Sequence, residues 1–171
     1  MKTILETDRL LLREFQLSDA NDMFHLNEDW DVIKYTGDPP FTSTEAALLF
    51  LKQYDDYKKN GMGRWAVVTK DDNRFIGWCG LKRHDDDIVD IGFRFFKKDW
   101  GHGYATEAAK ATLQYGLKTL KLPQIIGRAA KANLASVRVL EKLGMTYWKD
   151  DVCKGLDDAV YYEIKKSDYH S

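Results

Sequence analysis

The run Ile88-Val89-Asp90-Ile91-Gly92-Phe93-Arg94-Phe95, followed closely by Trp100-Gly101-His102-Gly103-Tyr104-Ala105-Thr106-Glu107, constrains this chain more than any other stretch. The first part alternates and is rich in β-branched and aromatic side chains, which predicts a strand. After the glycines comes Ala108-Ala109-Lys110-Ala111-Thr112-Leu113-Gln114-Tyr115, rich in good helix formers. Strand, glycine turn, helix: this order leaves the unpaired N–H groups of a helix N-terminus at the edge of a sheet. Such an end carries partial positive charge and spare donors, so it suits an anion, and a phosphate above all. Gly101 and Gly103 would let a bulky ligand approach the backbone with no Cβ in the way. No Gly-Lys-Ser/Thr pair closes the turn, and the third glycine and later acid of a dinucleotide fingerprint are missing. Taken alone, the turn reads equally as an anion site or as a tight strand-to-helix connection.

Around it the chain alternates between helical and strand patterns. Leu10 to Phe15 reads as a first strand. Ser18 can cap a helix over Asp19 to about Asn27, and Trp30 to Tyr35 forms a short helical turn. Thr42 with Glu45 makes a capping box that opens a long helix to about Lys59, ended by Asn60-Gly61. Arg64 to Thr69 and Phe75 to Lys82 form a hairpin, followed by Ile88 to Phe95, the glycine turn and a helix to about Leu120. Gln124 to Ala129 is apolar enough for a buried strand, and Asn133 to Leu143 is a helix ended by Gly144. Met145 to Lys149 and Ala159 to Ile164 are two last strands around a polar loop. The fold class is therefore α/β: a mixed, mostly antiparallel central sheet of about seven strands with helices on both faces. With no repeat or linker in sight, residues 1–171 are expected to form a single domain.

A formal net charge of −1 gives no electrostatic reason to expect nucleic acid. No apolar run approaches the length of a membrane span, and Met1 to Glu6 lacks the apolar core of a signal peptide. The expected location is cytoplasmic, with no membrane partner. Cys79 and Cys153 stand in no metal-ligand or redox spacing and read as two reduced, structural thiols. His84 beside Asp85-Asp86-Asp87 is either a metal ligand or part of an exposed turn, and no metal site is expected.

A second junction sharpens the reading. Asn133-Leu134-Ala135-Ser136 opens the next helix and runs on through Val137-Arg138-Val139-Leu140-Glu141-Lys142-Leu143-Gly144-Met145. Add Thr7-Asp8-Arg9-Leu10-Leu11-Leu12-Arg13, Ile76-Gly77, Ile91-Gly92-Phe93 and the glycine turn, and nearly the whole chain resembles the GNAT superfamily of acyl-CoA-dependent N-acyltransferases. The likeness is closest to the branch typified by the ribosomal-protein N-terminal acetyltransferases RimJ and RimL, where Trp-Gly-x-Gly-Tyr-Ala is usual.

The resemblance implies acetyl-CoA as cofactor and a primary amine, on a protein N-terminus or a small molecule, as acceptor. The pyrophosphate motif falls on Trp100-Gly101-His102-Gly103-Tyr104-Ala105, with Thr106 next to it. Phe93 and Phe95 would pair their backbone with the pantetheine amides as an added strand does. Gly92 would form a bulge that splays this strand from 124–129. Asn133 would hydrogen-bond the pantetheine, and Arg138 and Lys142 would reach the nucleotide phosphates.

By the same analogy the amine attacks the thioester directly. Ser136 would protonate the leaving thiolate, where many relatives use a tyrosine at the position of Leu140; its other reading is a helix-cap hydroxyl. Asp90 is the candidate base, or else a solvated strand carboxylate, with a water chain as substitute. The oxyanion donor would be a backbone N–H near Phe93 or Arg94. Asp29, Asp31, Asp38, Asp55 and Asp56 would suit a cationic acceptor or form a solvated face. Trp30, Tyr35 and Phe41 either line the acceptor pocket or belong to the core. A monomer or homodimer is expected, and the alternative function is a non-catalytic acyl-CoA-binding module.

Overall fold

The computed structural model describes residues 2–153 and 156–170, without the side chains of 153–157. Its strands are β1 (Thr3–Glu6), β2 (Leu10–Arg13), β3 (Arg64–Thr69), β4 (Phe75–Arg83), β5 (Val89–Phe95), β6 (Gln124–Ala130), β7 (Thr146–Cys153) and β8 (Leu156–Lys165). They make one eight-stranded sheet in the order β1-β2-β3-β4-β5-β6-β8-β7. Every neighbouring pair is antiparallel except β5 with β6. The helices are α1 (Ala20–Glu28), α2 (Trp30–Ile33), α3 (Thr44–Gln53), α4 (Asp56–Asn60), α5 (Tyr104–Gln114) and α6 (Leu134–Lys142).

Helices cover both faces. On one, Ala108, Leu113 and Leu117 after the turn pack with Leu10, Trp65, Leu81 and Ile91 of the strands. On the other, Met23 and Leu26 of α1 and Ala47 and Leu51 of α3 pack on Ala66 and Phe75. Leu10, Leu12, Trp65, Ile76 and Leu81 are all at most 1% exposed, so the pleat buries whole rows.

Several boundaries differ from the sequence reading, each for a local reason. The eighth strand is β1, only four residues long at the sheet edge, too short to leave a periodic signal. The α1 segment opens on a 3-10 turn, Leu17–Asp19, and the Ser18 hydroxyl goes to Gln16 Oε1 (3.1 Å) instead of capping the helix. The α3 cap is Ser43, whose hydroxyl accepts the Ala46 N–H (3.1 Å), not Thr42. This helix stops at Gln53 instead of running to Lys59. Tyr54 and Tyr57 turn inward; the Tyr54 hydroxyl accepts the Arg64 N–H (2.7 Å), and the Tyr57 hydroxyl donates to the Arg64 carbonyl, at the start of β3. The Asn60-Gly61 stop is as expected, with Gly61 at φ +70°. After Gln114, α5 loosens into a π-helical turn, Tyr115–Thr119, in place of a regular helix to Leu120. The last two strands are longer than expected and take in most of the presumed loop. Cys79 is buried and unoxidised beside Thr112, and the Cys153 thiol lies outside the described residues.

Gly80 sits where the sheet backbone is closely approached. A Cβ there would lie 2.2 Å from the carbonyl oxygen of Gly63, just before β3, and 2.6 Å from Arg64 Cα, its first residue, both backbone atoms. Backbone inside a paired sheet cannot step aside, so Gly80→Ala should lower stability by about 2–3 kcal/mol. Gly61→Ala, in open space and burdened only by its positive φ, should cost about 1 kcal/mol. Denaturant melts of the two variants check this; equal losses would contradict the close approach.

Candidate functional site

The site begins where two strands part. β5 and β6 pair only at Asp90↔Ile126 and Ile91↔Gly127, although β5 continues to Phe95 and β6 to Ala130. No bulge at Gly92 causes this, contrary to the sequence expectation. The β4–β5 register is continuous from Gly77↔Phe95 to Arg83↔Val89, and the irregularity on this side of the sheet lies between Val67 and Val68, on β3 against β4. Beside the last paired residues, Leu140 of α6, 1% exposed, packs on Gly127, its Cδ2 2.6 Å from where a Cβ would be. A leucine at this position therefore has a packing role. Beyond the fork opens a cleft of about 840 Å³, walled by β5, the start of α5 and the start of α6.

One wall is an anion cradle. Gly101 and Gly103 adopt φ +81° and +79°, the left-handed region that favours glycine. Gly103 is the N-cap of α5 and offers no side chain to it, so the first N–H groups, on Tyr104, Ala105 and Thr106, are left to the cleft these residues line. Trp100, half exposed, closes the turn by donating its Nε1–H to the Phe95 carbonyl (3.0 Å). The first-turn acid Glu107 would repel an anion, but it is held away. Thr7 Oγ1 (2.5 Å), the Arg9 N–H (3.0 Å) and Arg9 Nε (2.7 Å) all donate to it. Burial works against its ionisation, yet the hydrogen bonds from Thr7 and Arg9 outweigh that and keep its carboxyl below the usual range.

Arg9 was absent from the expected site. Its guanidinium lies 4.5 Å over the Tyr104 ring, and Nη2 is 3.4 Å from where a Gly103 Cβ would stand. Its only sequence signal was its place in Thr7-Asp8-Arg9. Among the other expected residues, Phe93, Phe95, Asn133, Ser136 and Lys142 line the cleft. His102 and Arg138 do not; both are exposed, and the His102 ring leans on Tyr104 at 5.7 Å. Asn133 caps α6 by accepting the Ser136 N–H (3.3 Å), while the Ser136 hydroxyl bonds no described residue.

The opposite wall is built on two glycines. Gly80 and Gly92 face each other in the β4–β5 register, and a Cβ on Gly92 would lie 2.8 Å from the Arg64 guanidinium. Arg64 thus lies flat across a slot without side chains. Its Nη1 donates to the Gly80 carbonyl (3.1 Å), and Nη2 meets Asp90 Oδ1 at 2.8 Å. The other Asp90 oxygen takes Arg128 Nη2 (2.9 Å) and His84 Nε2 (2.8 Å), so that imidazole nitrogen carries the proton. Asp90 is 3% exposed and not a solvated carboxylate. Burial opposes its charge, but Arg64, the His84 hydrogen bond and Arg128 overcome this and hold it well below the usual carboxylate range. A carboxylate so stabilised is a poor proton acceptor, which counts against Asp90 as base. His84 likewise is not a bare surface turn.

Of the acids that would suit a cationic acceptor or form a solvated face, Asp31 and Asp38 line the cleft. Asp38 is paired with Arg94 and Asp31 with Lys97, at 2.8 and 2.6 Å, which ties the segment after α1 to the end of β5. Asp29 caps α2 through the Asp31 N–H (3.0 Å). Tyr35 lines the cleft, Trp30 is 68% exposed, and Phe41 packs on Phe50 in the α1–α3 core. Among the described residues, no group of three or more His, Cys, Asp or Glu could hold a metal ion.

Residues 9–146 match a known family, the acetyltransferase (GNAT) domain. This chain belongs to the GNAT family. It is 30% identical to YnaD of Bacillus subtilis, named as an uncharacterized N-acetyltransferase, over 97% of this chain and 99% of the relative. A GNAT-family acetyltransferase from Bacillus anthracis is 30% identical and superposes with a TM-score of 0.83, over 96% of this chain and 99% of that one. RimL, the ribosomal L7/L12 α-N-protein acetyltransferase in complex with coenzyme A, shares the fold at a TM-score of 0.82 and 15% identity, over 96% of this chain and 98% of that one. The GNAT protein is thus an enzyme that uses acetyl-CoA to acetylate an amine. No helix among its described residues is long and apolar enough to cross a membrane.

The Asp90 node makes a stability prediction. Asp90→Asn leaves Arg64 and Arg128 facing a neutral group, which should cost about 3 kcal/mol, the low end for a buried pair because Arg128 is 28% exposed. Since folding lowers the Asp90 pKa, its contribution is present above the ordinary aspartate value of 3.8 and is lost as pH falls below it. The gap between wild type and variant in urea melts should therefore close on acidification; equal stability at neutral pH would contradict it.

Proposed function

We propose that this chain moves the acetyl group of acetyl-CoA directly to a primary amine, and that it stands nearest the RimJ/RimL-like branch of its family. The observation that carries this reading is the meeting, in one cleft, of an unpaired β5 edge and an uncapped α5 N-terminus. Trp-Gly-x-Gly-Tyr-Ala at 100–105 supports the branch. The backbone of Phe93 and Phe95 would hold the pantetheine, with Asn133 opposite. The amides of Tyr104 to Thr106 would hold the pyrophosphate, with Arg9 and Lys142 beside it. When bound, acetyl-CoA supplies an acetyl group already activated as a thioester.

The rest falls to this chain's own residues. A backbone N–H near Phe93 or Arg94 takes the developing negative charge, and the Ser136 hydroxyl gives its proton to the departing sulfur. Cys79 is no nucleophile: burial pushes its thiol up to about 12. Asp90 acts as an anchor that holds Arg64 against Gly92. The ammonium loses its proton to water in the open cleft, helped by the surrounding cations, which disfavour a further positive charge. One domain serves the site.

Two variants separate binding from chemistry. Ser136→Ala should lower kcat by about 10²-fold with the acetyl-CoA Kd unchanged, since proton donation acts on the chemical step alone. Gly103→Val, branched and at positive φ, should weaken acetyl-CoA by at least about 100-fold while far-ultraviolet circular dichroism stays the same. Calorimetry showing wild-type affinity for Gly103→Val would remove the turn from the site.

A further inference from the structure

The edge that β5 offers beyond its ladder with β6 is partly occupied from within the chain. In an antiparallel pair, the backbone groups of alternate residues point to opposite sides of the strand. The Phe96 N–H goes to the Ile76 carbonyl (3.0 Å), so Phe96, Arg94 and Gly92 turn their backbone groups toward β4. Ile91, Phe93 and Phe95 therefore turn theirs the other way, and Ile91 is the last of them paired with β6. The Phe95 carbonyl is already taken, by the Trp100 Nε1–H at 3.0 Å.

That bond goes beyond what the turn itself requires. The turn is tied by its own backbone, with the Asp99 N–H on the Phe96 carbonyl (2.9 Å) and the Trp100 N–H on the Lys97 carbonyl (3.1 Å). Asp99, 5% exposed, is held by both terminal nitrogens of Arg74, at 3.0 and 2.8 Å. Trp100 thus stands on a fixed base, with its indole lining the cleft and its one donor spent on the strand edge.

A ligand that adds a strand here finds the N–H and C=O of Phe93 but only the N–H of Phe95. Along a strand edge the same groups recur every second residue, about 7 Å apart. With the Phe95 carbonyl open as well, an arm of amides joined by flexible methylenes would have a second register, one repeat nearer α5.

We propose that Trp100 is a positioning residue for acetyl-CoA: its indole N–H ends the pairing edge of β5 and so fixes the register in which the pantetheine arm is held. This rests on the acetyl-CoA reading above and deepens it, since a register shifted toward α5 would draw the thioester away from the fork.

The test uses Trp100→Phe, which keeps an aromatic ring and loses the donor, and 3-benzothienylalanine at position 100, which keeps the indole shape with sulfur in place of N–H. The probe is acetyl-CoA labelled with carbon-13 at the acetyl carbonyl. Calorimetry reads its affinity, and the carbonyl resonance of the bound form at saturation reads the surroundings of the thioester. Affinity should stay within about threefold of wild type, because the edge loses no group that the ligand uses. The bound resonance should move from its wild-type position in both variants, or divide into two signals, one for each register. The benzothienyl variant keeps the fused ring system, so a change there comes from the missing donor. Gly61→Ala, away from the cleft, should alter neither reading. A bound resonance identical to wild type in the benzothienyl variant would overturn the proposal, whether affinity is kept or lost; a loss of affinity alone would make the indole a brace of the phosphate turn. Failure of the wild-type protein to bind acetyl-CoA would instead bring down the acetyl-CoA reading beneath it.

Discussion

Two residue pairs of parallel ladder, Asp90 with Ile126 and Ile91 with Gly127, join the halves of this sheet, and the candidate cleft opens where that ladder stops. Continuing it would add hydrogen bonds worth about 1 kcal/mol each and would close the cleft. Leu140 occupies the space a side chain at 127 would need, and burying a leucine contributes about 1.5–3 kcal/mol. The backbone groups left over beyond Ile91 face an open cleft, so they remain hydrated and avoid the larger cost of burial without a partner. The fork is therefore inexpensive to keep open and offers an unfinished strand to a ligand.

The two walls use opposite strategies toward charge. On the α5 side the features are in the backbone: positive-φ glycines present N–H groups, and the first-turn acid Glu107 is held by Thr7 and Arg9. On the β3–β4 side, side chains do it: paired glycines clear a slot, Arg64 fills it, and Asp90 pins Arg64 in place. An aspartate between two guanidiniums and a histidine gains so much from its charge that it is a poor acceptor for a proton.

What could be read from the sequence was what lies close together in it. The glycine turn, its preceding strand and the helix that opens at Asn133 are short-range features whose residue types fix local backbone conformation directly. The unread parts depend on partners far apart in the chain. Asp90 becomes a buried ion-pair node through Arg64, His84 and Arg128 from three other segments, and Asp31 and Asp38 are neutralised by Lys97 and Arg94 on or after β5. The break after α3 arises the same way, because two tyrosine hydroxyls find the backbone of Arg64. Arg9 entered the cradle through its partner Glu107, a pairing no spacing rule connects. Strand β1 failed for the opposite reason: four residues at an edge carry too little pattern to be read.

The central claim is that the unpaired edge of β5 and the start of α5 together hold acetyl-CoA. Residue-resolved amide hydrogen exchange with and without saturating coenzyme A tests it most directly. The account requires slower exchange at residues 93–95 and 101–106 on binding, with the β6–β8 ladder unchanged. Coenzyme A that binds and protects neither segment would contradict it.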